Sequence, residues 1–96
     1  MYDMMICTVE YTSSNDFDKG PGLTETVFHQ PMPLDIGLCK LGQLILNEYH
    51  HPGHTINAAY ISAKINNKIE PIASVNTAGM TDQQAAALLA ALNLKG

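Results

Sequence analysis

The sequence predicts an α+β domain of order β-β-α-β-β-α, a four-stranded antiparallel sheet with two helices packed on one face. Three observations carry that prediction. Apolar residues alternate over residues 4–11 and 23–30, the two-residue period of a half-buried strand. Between Pro33 and His54 the period becomes three and four, with Leu34, Leu38, Leu41, Ile45 and Tyr49 along one helical stripe. Asn66-Asn67, a pair tolerant of positive φ, then joins two further strand-like runs.

In residues 4–11, Met5, Cys7, Val9 and Tyr11 share one face and Met4, Ile6, Thr8 and Glu10 the other, with Glu10 marking the second face as partly wet. Residues 12–22, TSSNDFDKGPG, are polar and turn-rich, and read as a long loop closed by Gly20-Pro21-Gly22. Loops of that length often carry binding groups. Phe17, an aromatic in its polar middle, either folds back onto the domain or is offered to a partner. Residues 23–30 pair with the first strand until Pro31 and Pro33 stop them.

Pro33 suits the first turn of the central helix, where a missing N–H costs nothing. Pro52 and Gly53 end it, leaving His50 and His51 near its negative end. Cys39 and Leu46 project about 100° from the main stripe, so the helix is apolar on two sides, one for the sheet and one for the last helix or a second protomer. Gly37 and Gly42 weaken the helix and would admit a neighbouring backbone.

Residues 55–65 fit two patterns: a helix capped by Thr55, or a strand with Asn57, Ala59, Ile61, Ala63 and Ile65 on one side. The Asn66-Asn67 turn favours the strand, returning as residues 68–75, where Pro71 limits the return to an edge or to positions where its N–H is not required. Residues 81–94 form the second helix. Thr81 and Gln84 make a capping box, Met80 and Ala85 a staple, and Leu88, Leu89 and Leu92 an apolar face.

Ninety-six residues make one domain, 1–96. Only 15% are charged, against about 25% in a typical domain. A neutral surface favours a dedicated protein partner or self-association, a dimer first. The net charge is −4, the lysines are scattered and arginine is absent, which argues against nucleic acid. Cys7 and Cys39 read as free thiols in apolar strips. No basic leader precedes the first strand and no apolar run approaches the roughly 20 residues of a membrane span. The expected compartment is the cytoplasm, without membrane contact.

His50, His51 and His54 form the densest titratable group, with His29 and Cys39 as further donors to consider. Zinc needs three or four converging ligands, and H-H-x-x-H interrupted by Pro52 matches no zinc spacing. Ser14, Asp16, Asp18 and Glu25 fall in an EF-hand register, but Lys19 stands where glycine is required. Both cysteines lie in apolar strips and not in the polar pocket a thiolate needs. Gly79-Met80-Thr81 precedes a helix start, where Asp82 opposes an anion. No catalytic residue, metal or cofactor is therefore expected.

These features favour a non-enzymatic protein-binding module, an inhibitor or regulator of a larger complex, in the manner of small acidic anti-defence proteins carried by phages and mobile elements. Its candidate binding residues are Phe17, Tyr49, His50, His51 and His54. The alternatives are a homo-oligomer that binds or sequesters a small ligand near residues 50–54, and a small histidine-dependent enzyme.

Overall fold

The computed structural model describes residues 2–77 and, past them, residues 83, 84 and 87. Four strands and one helix follow in the order β1 (Met5–Ser13), β2 (Gly20–Phe28), α1 (Leu34–Tyr49), β3 (His54–Ile65) and β4 (Lys68–Val75). The strands form one antiparallel sheet of order β2-β1-β3-β4, and α1 packs over β1 and β3. This is an α+β architecture. The second helix expected over residues 81–94 lies outside the described residues, apart from Gln83, Gln84 and Ala87.

The core forms where β1 meets α1. Met5, Cys7 and Val9 are fully buried, in one cluster with Leu41, Ile45, Ala59, Ile61 and Met32. Each large aliphatic side chain buried this way contributes roughly 1.5–3 kcal/mol. The helix face differs from the expected stripe: Leu38 is exposed, whereas Gly37 and Glu48 are buried. Helix and sheet are close at Gly37, where a Cβ would stand 2.5 Å from Met5 Sδ. The close approach is thus to side chains and not to a neighbouring backbone. The Cys7 thiol donates to the Gly37 carbonyl over 3.7 Å. Pro33 is the N-cap, with extended ψ of 161°, so the helix begins one residue later than expected.

The first hairpin is longer, and its loop shorter, than the polar composition suggests. Tyr11 pairs with Gly22, Thr12 with Pro21 and Ser13 with Gly20, which leaves residues 14–19 as the loop. Gly20-Pro21-Gly22 is therefore strand. Pro21 is tolerated because β2 is an edge strand. Gly22 is required because the Tyr11 ring lies on it, 2.7 Å from where a Cβ would stand.

Residues 55–65 are strand, turned by Asn66 and Asn67 at φ 51° and 65°. β4 is the opposite edge and accommodates Pro71 beside an extra residue, Ile72. The alternation expected along β3 holds only in part. Ala59, Ile61 and Ala63 are buried, but Ile65 is exposed and Asn57 does not share their face. Glu10 pairs with Ala58 and Tyr11 with Ile56, so Asn57 is an extra residue, a β-bulge. Beyond it the even-numbered residues Ile56 and His54 turn towards α1. The sheet face away from α1 is also drier than Glu10 suggests, with Ile6, Thr8 and Ser62 buried on it.

Candidate functional site

Because of the Asn57 bulge, His54 at the start of β3 points back at the last turn of α1, where Glu48 is buried on the sheet-facing side. His54 Nδ1 lies 2.6 Å from Glu48 Oε2, with the two side chains 5% and 11% exposed. The other carboxylate oxygen, Oε1, accepts from Thr24 Oγ1 of β2 at 2.5 Å. An ionised carboxylate only accepts, so the bond from His54 is donated by Nδ1–H. Three elements thus meet at one buried acid.

Burial by itself would raise the Glu48 pKa. The hydrogen bonds from Thr24 and His54, and the charges of His54 and His51 when protonated, outweigh it and hold the carboxyl below its ordinary 4.5.

The His54 ring is stacked on both sides. Tyr11 lies 4.1 Å away at 11°, and His51 lies 3.8 Å away at 17°. His51 Nδ1 is 3.1 Å from the Pro52 carbonyl, which fixes the proton of the neutral ring on that nitrogen. His54 Nε2, by contrast, is buried without a hydrogen-bond partner. An unsatisfied buried polar atom costs about 1–3 kcal/mol.

The same end of the sheet holds the β1–β2 loop. Ser14 donates from its backbone N–H and its hydroxyl to the Gly53 carbonyl, at 2.8 and 3.1 Å. Gly53 has φ +80°, and a side chain there would also meet Asn15. Asp18 N–H donates to the Asn15 carbonyl, which closes the turn around the loop tip. At that tip Phe17 is fully exposed, flanked by exposed Asp16 and Asp18. Of its two sequence readings, the ring does not fold back onto the domain.

All five sequence-predicted site residues therefore lie at one end of the molecule, in distinct roles. His51 and His54 stack on each other. Exposed His50 caps α1 and meets the Tyr49 ring edge-on at 5.4 Å. Phe17 stands on the neighbouring loop. Sequence reasoning missed Glu48, Thr24 and Tyr11. Glu48 had a signal, since it follows Leu41 by seven residues and Ile45 by three, on the buried stripe. Thr24 and Tyr11 reach the site through strand pairing, which has no local signature.

Among the described residues no group of three or more His, Cys, Asp or Glu is placed to hold a metal. Cys7 is buried, and that burial pushes its thiol up to about 11, away from nucleophilic chemistry. A cavity of about 220 Å³ opens between β2 and α1, lined by Thr26, Phe28, Lys40, Gln43, Leu44 and Asn47. It contains none of the histidines and is below the size of usual small-molecule sites. Among the described residues no helix is long and apolar enough to cross a membrane. Comparison of the chain with protein-family models, with curated proteins and with solved structures finds no match.

Proposed function

We propose that this chain is a non-enzymatic protein-binding module of the cytoplasm, an inhibitor or regulator that seizes its partner with Phe17. The observation that carries the reading is the placement of that ring: a fully exposed aromatic on a loop pinned at its base by Ser14 and Gly53. A rigid aromatic offers large apolar area at small entropic cost, which is why such residues anchor interfaces. Asp16 and Asp18 on either side call for a partner pocket that is apolar inside and basic at its rim. A cysteine-based enzyme reading draws no support from Cys7, whose thiol is buried.

The test has two stages. Tagged wild-type and Phe17→Ala chains are used to recover binders from the native host, and the protein lost only with the variant is purified. Its Kd should weaken about thirtyfold on Phe17→Ala, the equivalent of roughly 2 kcal/mol for an interface anchor. It should also weaken with added salt, through the two aspartates. Equal recovery and equal Kd for both chains would sink the reading.

A further inference from the structure

We propose that His54 and His51 form a binding site for a divalent transition-metal ion, with Glu48 as the carboxylate that positions the buried ligand. The argument does not depend on Phe17. In the neutral rings, Nδ1 of His54 donates to Glu48 and Nδ1 of His51 donates to the Pro52 carbonyl. Both Nε2 atoms therefore carry the free lone pair, the protonation pattern a metal ligand requires. An imidazole that donates its other N–H to a carboxylate is the usual arrangement behind a ligating histidine. Thr24 in turn holds that carboxylate from its far side.

The second, independent observation is the buried, partnerless His54 Nε2, on a side chain 95% enclosed by the 5% exposure above. The fold has oriented this nitrogen from behind and left its front unbonded. A metal ion would satisfy it.

The two rings are stacked 3.8 Å apart, so their lone pairs run side by side and do not converge. Binding thus requires exposed His51 to leave the stack, and with it the Pro52 carbonyl, so that its own ring nitrogen can turn towards an ion held on His54 Nε2. Rotamer changes of exposed side chains are fast and leave the backbone in place. Two imidazoles select borderline ions such as Zn²⁺, Ni²⁺ or Cu²⁺ over Ca²⁺ or Mg²⁺. Water or a donor from a bound partner fills the remaining positions.

Titration calorimetry of the whole chain with Zn²⁺ and Ni²⁺ tests the site. One ion per chain is expected, with binding lost in His54→Gln and in His51→Gln. Glu48→Gln should weaken affinity by about 10–100-fold, the usual cost of removing a carboxylate behind a ligating histidine. A readout on the wild type avoids any folding defect: nitrogen NMR should show Zn²⁺ shifting His54 Nε2 while Nδ1 keeps its proton. No binding with Zn²⁺ in large excess would overturn the proposal. So would affinity indifferent to Glu48→Gln, which marks an adventitious surface histidine pair.

Discussion

His54 and Glu48 are six residues apart in sequence, and His54 Nδ1 lies 2.6 Å from Glu48 Oε2, a hydrogen bond that becomes an ion pair when the ring is protonated. Their contact closes the turn from α1 into β3, and through Thr24 it ties the edge strand β2 to the same point. One carboxylate therefore fastens three elements.

Glu48→Ala should cost about 2–3 kcal/mol in urea unfolding, because it removes charge-assisted bonds and strands two donors in a mostly buried place. The pH dependence follows from the lowered pKa. A carboxyl held below 4.5 in the folded state stabilises fully above that value, and the contribution disappears as pH falls through the folded value. The stability gap between wild type and Glu48→Gln should thus be present at pH 5 and shrink on going to pH 3. A gap of unchanged size at pH 3 would refute it.

Gly22→Ala should destabilise by about 1–3 kcal/mol, the usual range for overpacking. Its methyl would press on a ring, Tyr11, that has His54 stacked behind it. The diagnostic is the NMR shift of His54, which should move with the ring. A substitution that leaves that shift in place would show the stack to be loose.

Cys7 should resist iodoacetamide at pH 8 in the native protein, since its thiol is pushed up to about 11 and is buried beneath Gly37. Half-buried Cys39 should be labelled first, and Cys7 only on unfolding. Mass spectrometry of tryptic peptides separates the two. Equal labelling rates would contradict the packing of β1 under α1.

Phe17→Ala should leave stability within about 0.5 kcal/mol of wild type, as expected for a side chain without intramolecular packing. A larger loss in urea would mean that the ring does pack on the domain, and the binding proposal would lose its basis.

Much of the fold was legible from period alone. The first two strands, the central helix and the Asn66-Asn67 hairpin all follow from alternation, three-four spacing and turn chemistry, because these are local. Pro71 pointed to an edge or an unpaired N–H, and it lies on the edge strand β4 beside an irregular register. What failed was non-local. Polar residues 12 and 13 and Gly20-Pro21-Gly22 looked like loop, yet they are strand because β1 is paired on both sides and the Tyr11 ring needs Gly22 beneath it. The helix stripe missed Gly37 and Glu48, since a glycine and an acid read as outward-facing until the sheet that covers them is known. The histidines were visible as a group, but their sorting into a buried ring, a stacked ring and an exposed cap required the bulge.

That bulge also changes how β3 should respond to mutation. Parity along a strand is a phase, and Asn57 resets it: above it the residues turned to α1 are odd, 59, 61 and 63, and below it they are even, 56 and 54. A saturation map of tolerance along β3 would therefore switch phase at residue 57. Deleting Asn57 would remove the surplus residue while leaving His54 and Ile56 facing α1, so this strand should tolerate one missing residue better at 57 than anywhere from 59 to 63.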